Sequence, residues 1–305
     1  MTPSPAPPPT GEKSLAIYSG MEELAAGYEG YILDLWGVIH DGVTVFPGVI
    51  NCLFRLREAG KRMVLLSNAP RRSHVIVEQL MSFGVPENLY DGIMSSGQEA
   101  YDHLSARDDP WYAALGERCF HIGPERDMNM LEGLSLQEVE TLAEAEFILN
   151  TGPWDDGAMV ADYEDILSEG ARTKVPMICS NPDLEVIRGG VRMICAGALA
   201  CRYEELGGEV RHHGKPDKGI YESCFRCLGI ADHSHILAVG DSLRTDITGA
   251  ENAGIDSLLV TDGLHREEIG LAMGETPDPV RLAGFCMAAG HFPNGAITSF
   301  RWNGE

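Results

Sequence analysis

Residues 31–42, YILDLWGVIHDG, constrain this chain more than any other stretch. Tyr31, Ile32 and Leu33 run without a polar break into Asp34, and the run is interrupted at Gly37. A short continuous apolar run that ends in an acid reads as a strand buried on both faces of a parallel sheet, delivering a carboxylate to its own end. Two positions past that acid stands Trp36, a residue with no acidic proton to give.

Parallel strands need crossovers, and the sequence supplies them. Val49, Ile50, Leu53 and Leu56 predict one helical face, closed by Ala59-Gly60; residues 63–66 predict a second buried strand ending at Ser67-Asn68. A helix over about 71–83 stops at Gly84. The pattern resumes late in the chain: a helix over 220–228, a strand over 235–240 ending at Asp241, a helix over 246–253 stopping at Gly254, and a strand over 257–260. Between these halves lie a helix near 98–104 and strands near 118–122, 145–150, 175–179 and 191–194. The expected organisation is an α/β core over 14–94 and 204–305, interrupted by a second α/β unit over 95–203. Residues 1–13, MTPSPAPPPTGEK, carry five prolines and read as a disordered tail. A short helix is expected over 14–26. The last forty residues give no clear pattern, with Pro277, Pro279 and Pro293 as breakers.

Composition narrows the function classes. The 305 residues include 46 Asp plus Glu against 23 Lys plus Arg, a formal charge of −23. That field repels polyanions, which argues against nucleic acid and anionic membranes as partners. No apolar run reaches the length of a membrane span, and no signal peptide precedes the eight cysteines, so a cytoplasmic protein with free thiols is expected. Cys224 and Cys227 form C-x-x-C, but within a predicted helix and without a second pair at zinc-ligand spacing; they read as core residues. The histidine pairs 212/213 and 233/235 lack convergent acids for a metal site.

In an open parallel sheet, functional groups gather at the carboxyl ends of strands. Asp34, Ser67 and Asp241 each follow an apolar strand, so all three are expected on one edge. Asp34, Asp241 and Asp246 together would repel one another unless a cation sat among them, which implies a hard, oxygen-ligated ion and, for phosphate chemistry, Mg²⁺. Lys215 before one helix, and Ser67 with the backbone amides before another, complete a pocket for the oxygens of a dianion. A carboxylate, a cation, a lysine and a hydroxyl so gathered are the parts that phosphoryl transfer needs.

Taken in order, DLWGVIHDG, LLSNAP, HHGKPDKGIY and AVGDSLRTDITGAENAG resemble the four motifs of the haloacid dehalogenase superfamily, over roughly residues 28–266. The insert, with ICSNPD at 178–183 and AGALA at 196–200, is similar to the type IIA cap of the NagD-like and 4-nitrophenylphosphatase-like group. The resemblance implies a Rossmann-like core with an inserted α/β cap. It further implies Mg²⁺-dependent hydrolysis of a small phosphorylated metabolite, such as a sugar phosphate or nucleotide, through an aspartyl-phosphate. By it Asp34 is the nucleophile and a metal ligand, the backbone carbonyl of Trp36 and Asp241 are further ligands, and Asp246 supports the metal site. Ser67, Asn68 and Ala69 hold phosphate, Lys215 stabilises the phospho-aspartate, the cap contacts the leaving group, and two copies pair as a homodimer through their caps.

Trp36 departs from the pattern, because the family usually carries a second aspartate there as general acid and base. Such a group is worth ~10²–10⁴ in rate, or about 3–5 kcal/mol of barrier. A slow phosphatase, a preference for good leaving groups, or another acid would follow. His40 and Asp41 are the nearest candidates for that acid, against a reading of H-D-G as a tight turn. A binder of phosphorylated metabolites acting as sensor or scaffold also stays open. Dehalogenation is disfavoured by Asp241 and Asp246. Asn181 and Asp183 either brace the cap or face substrate; Arg71 and Arg72 either attract an anion or form a solvated helix face.

Overall fold

The computed structural model describes residues 14–303, so the tail expected over 1–13 lies outside the described residues. In chain order the strands are β1 (Ile17–Tyr18), β2 (Gly30–Asp34), β3 (Arg62–Ser67), β4 (Gly92–Ser95), β5 (Arg118–Ile122), β6 (Gln137–Glu138), β7 (Phe147–Asn150), β8 (Met177–Cys179), β9 (Glu185–Arg188), β10 (Val191–Ile194), β11 (Val210–His212), β12 (Ile236–Gly240), β13 (Asp256–Val260) and β14 (Gly295–Ile297). Seven form a parallel sheet in the order β1-β14-β13-β12-β2-β3-β4. Five form a smaller parallel sheet, β11-β8-β7-β5-β6, and β9 with β10 makes an antiparallel hairpin.

The central strand of the large sheet is β2, flanked by β12 and β3. Its five residues are all buried. Successive side chains of a strand point to opposite faces, and here Tyr31 and Leu33 pack with Val49, Cys52, Leu53 and Leu56 of the helix Val49–Glu58. Ile32 packs the other way, against Ile220, Tyr221, Cys224 and Phe225 of the helix Lys218–Leu228. Helices on both faces explain why the strand reads as one apolar run. The helical face differs in one member from the expected one: Cys52 is buried and Ile50 is 40% exposed.

The smaller sheet is built alike. Phe120, Ile148 and Met177 face Leu167 and Leu199 of the helices Glu164–Thr173 and Ala196–Glu205, while Cys119, Phe147 and Leu149 face Ala100 and Leu104 of the helix Ser96–Ala106. Its edge strand β11 lies beyond residue 203, so the chain returns to the core only after His213. With Arg211 and His212 beside a lone Val210, that strand left no apolar run to assign it by.

Both ends of the described chain differ from expectation. Residues 14–26 form the edge strand β1 and a single 3-10 turn, Met21–Glu23, where a helix was expected. Pro279 starts a helix, Pro279–Ala289, whose cap is the Asp278 carboxylate accepting from the Val280 and Arg281 amides. Proline suits the first helical turn, where the amide it lacks would have no partner within the helix. No helix among the described residues is long and apolar enough to cross a membrane.

Candidate active site

The carboxyl edge of β2, β12 and the turn after β12 gathers Asp34, Asp241 and Asp246, all buried, with one ligand oxygen from each within 4.8 Å of the others. Glycine permits the approach. A β-carbon on Gly37, which has φ of 74°, would lie 1.8 Å from an Asp241 oxygen, and one on Gly263 would lie 2.3 Å from it. Gly37 therefore does more than end the strand: it makes room for an acid from the far end of the core sequence. Asp241 accepts from the Leu264 amide at 2.8 Å, and Asp246 from the Ser242 amide at 3.1 Å.

Lys215 enters this cluster from the loop after β11 and is itself buried. Its Nζ donates to Asp34 at 2.5 Å, to Asp246 at 2.7 Å and to the Leu66 carbonyl at 3.3 Å. Burial opposes its charge, but Asp246, Asp34 and Asp183 outweigh that and hold the ammonium well above the ordinary lysine range. Burial and the neighbouring Asp246 raise Asp34, and burial with Asp246 pushes Asp241 up to about 8. Three carboxylates against one shared lysine leave negative charge uncompensated. An all-oxygen donor set with that surplus fits a hard divalent cation.

Ser67 is fully buried at the end of β3, and its Oγ accepts from the Ala69 amide at 3.1 Å. Asn68 is tied at both ends of its amide: Oδ1 accepts from the Lys215 amide at 2.8 Å, while Nδ2 donates to the Lys215 carbonyl at 3.1 Å and to Asp183 of the cap at 2.9 Å. Above these groups is a cavity of about 470 Å³ bounded by core and cap, whose walls include Trp36, Phe46, Leu184, Val186, Ile187 and Met273. Acid at the floor and hydrocarbon at the walls suit a charged head group on a partly apolar body.

The groups expected to replace the missing acid are engaged elsewhere. His40 is buried edge-on against Trp36 and Phe83; its Nδ1 accepts from the Gly42 amide, and burial pushes it down to about 4. Asp41 accepts from the Val43 and Thr44 amides, which, against a partial burial penalty, hold it below the usual carboxylate range. The turn reading of H-D-G is the structural one. Arg71 and Arg72 are not a solvated face: Arg71 pairs at 2.9 Å with buried Asp127 of the cap, and Arg72 lies over the Tyr101 ring. Asn181 braces the loop after β8 by accepting from the Asp183 amide. Cys224 and Cys227 are free thiols, and the cluster at Asp34 is the only metal-competent group among the described residues. Sequence reading passed over Arg244, which donates to the Pro182 carbonyl and ties the cap loop to the core.

Known proteins resemble this chain in sequence and fold. A family profile described as haloacid dehalogenase-like hydrolase matches residues 31–137, and a second, HAD-hydrolase-like, matches 212–283. A haloacid dehalogenase-like hydrolase from Brucella suis superposes with a TM-score of 0.78 at 33% identity, covering 92% of this chain and 98% of that one. The 5'-nucleotidase YutF of Bacillus subtilis is 24% identical over 79% of this chain and 90% of its own. The ribonucleotide monophosphatase NagD of Escherichia coli K12 is 26% identical over 76% and 87%. The chain belongs to the haloacid dehalogenase-like hydrolases, subclass IIA. Within that class, several relatives of this chain are named as phosphatases.

Proposed function

We propose that this protein hydrolyses small phosphomonoesters through a covalent intermediate on Asp34. The observation that carries the reading is the Lys215 ammonium shared between Asp34 and Asp246 at the floor of a cavity roofed by the cap. Asp34 attacks phosphorus and the ester oxygen departs; water then cleaves the aspartyl-phosphate and frees phosphate. Lys215 balances the charge that passes from Asp34 to the phosphoryl oxygens, and Ser67 with the Asn68 and Ala69 amides orients them. Asp34, Asp241 and the Trp36 carbonyl would hold Mg²⁺, with Asp246 supporting them, and the ion would supply charge neutralisation at the transferring group. Eight free cysteines accord with a reducing cytoplasm. Nucleoside monophosphates belong in the first substrate panel because YutF and NagD are named for such activity.

Phosphate release from 4-nitrophenyl phosphate and a metabolite panel, with Mg²⁺ or with chelator, tests this reading. Release that needs Mg²⁺ and disappears in Asp34→Asn is expected. Trp36 favours one other reading, a sensor or scaffold: no release from any ester, with a phosphorylated ligand still raising the melting temperature, would establish it instead.

A further inference from the structure

Trp36 removes the proton donor from the nucleophile's own loop, and most other imidazoles and carboxyls around the cavity already have partners. His40 and Asp41 are engaged as described above. His265, on the cavity wall, uses both ring nitrogens: Nδ1 pairs with Glu268 at 2.9 Å and Nε2 accepts from the Leu243 amide at 3.2 Å. Asp262 spends both carboxylate oxygens on the Gly274 amide. Glu185 is paired with Arg192.

Asp183 differs from all of these. It belongs to the cap, in the loop after β8, yet lines the same cavity as Asp34 and Lys215. Its Oδ1 accepts from Asn68 at 2.9 Å, Asn68 is clamped to the Lys215 backbone, and Lys215 reaches Asp34 at 2.5 Å. Hydrogen bonds through Asn68 and Lys215 thus link the cap carboxyl to the nucleophile. Among the described residues, the Asp183 Oδ2 has no hydrogen bond. The loop is held over the core by Ser96 Oγ donating to the Ser180 carbonyl at 2.6 Å and by Arg244 on Pro182.

We propose that Asp183 is the general acid of this enzyme, brought by the cap to the leaving oxygen in place of the acid that position 36 lacks. This rests on the phosphomonoesterase reading above. As the Asp34 oxygen bonds to phosphorus, the ester P–O bond breaks, its electron pair stays on the leaving oxygen, and the proton on Asp183 Oδ2 passes to that oxygen. In the second half the Asp183 carboxylate takes a proton from the water that attacks the phospho-aspartate, which returns both groups to their starting state. Burial raises the Asp183 carboxyl, with Lys215 and the Asn68 amide opposing; Asp246 adds to the rise and Arg244 opposes it.

The test is kcat/KM over a series of aryl and alkyl phosphates for the wild type, Asp183→Asn, Trp36→Asp and the double variant. An aryl oxygen leaves readily without a proton and an alkyl oxygen does not. Asp183→Asn is expected to lose roughly 10²-fold or more on the alkyl esters and under about tenfold on 4-nitrophenyl phosphate. Trp36→Asp in the Asp183→Asn background is expected to restore most of the alkyl activity. Equal losses on both ester classes would make Asp183 a brace and overturn the proposal, as would no loss on the alkyl esters. Wild-type protein inert even on the aryl ester would instead overturn the phosphatase reading beneath it. Retained aryl turnover in Asp183→Asn reports that the variant is folded.

Discussion

At the carboxyl edge of the large sheet, β2, β3 and β12 deliver Asp34, Ser67 and Asp241; at the same edge of the cap sheet, β7 and β8 deliver Asn150, Thr151 and Ser180. Both sets are buried. The cap residues satisfy one another: Asn150 donates to the Ala196 carbonyl at 2.9 Å and accepts from the Gly152 amide at 3.2 Å, Thr151 pairs with His121 at 2.9 Å, and Ser180 donates to the Asn150 carbonyl at 3.1 Å. The core acids do not, because the one lysine among them reaches Asp34 and Asp246 but not Asp241. Two parallel sheets therefore end differently: neutral groups with partners hold a fold, and charged groups without enough partners wait for a ligand.

Variants can break that contrast from either side. The largest effect is expected for Asp34→Asn, a fall of roughly 10⁴-fold or more in turnover of 4-nitrophenyl phosphate. Its melting temperature should stay level or rise, since one of three crowded carboxylates is neutralised; a clear drop would show that the cluster is structural after all. Next comes Trp36→Asp alone: with Asp183 supplying the proton, alkyl phosphate turnover should change by less than about tenfold. A gain of about 10²-fold would show that proton supply limits the wild type and that Asp183 is not its acid.

On the cap side the signs reverse. Asn150→Ala leaves the Gly152 amide and Ala196 carbonyl without partners, and a loss of roughly 1–3 kcal/mol in denaturant unfolding is expected. Aryl phosphate turnover at a temperature where the variant is folded should change only a few-fold. A loss of turnover comparable to that of Asp34→Asn would erase the contrast. A further effect is shared by the two sheets. His40 in the core and His121 in the cap are both pushed down to about 4 by burial, from an ordinary value of 6.5. The unfolded chain then binds more protons than the folded one between those limits, so stability is full above about pH 6.5 and falls as pH drops toward 4. The slope is about 1.4 kcal/mol per pH unit for each histidine. Unfolding free energies at pH 7 and 5 check it: His121→Gln should flatten the slope by the cap's share.

Much of the core was legible because β2, β3 and β12 are covered by helices on both faces, and full burial writes a continuous apolar run into sequence. Edge elements were not. β1 has only two residues and β11 carries Arg211 and His212, so neither leaves a period to read. Pro279 reads as a breaker, yet its place one residue after Asp278 marks a helix start. At the site, Asp34, Ser67, Asp241 and Lys215 could be placed together from their positions at strand ends and loops. Arg71 could not be paired with Asp127, nor Asn68 with Asp183, since those partners are 56 and 115 positions apart.

By itself the sequence determined that strands would alternate with helices, that an acid would close the central strand, and that no acid would stand at position 36. These are local properties: hydrophobic period, the chemistry of one side chain, and the order of residues along the chain. Only the tertiary structure decided that Gly37 would admit Asp241, that His40 would be sealed into the core as a neutral ring, and that the cap carboxyl of Asp183 would meet Asn68 in the cavity lined by Asp34. Each of those depends on close packing between segments far apart in the chain, set by crossovers and by which faces bury together.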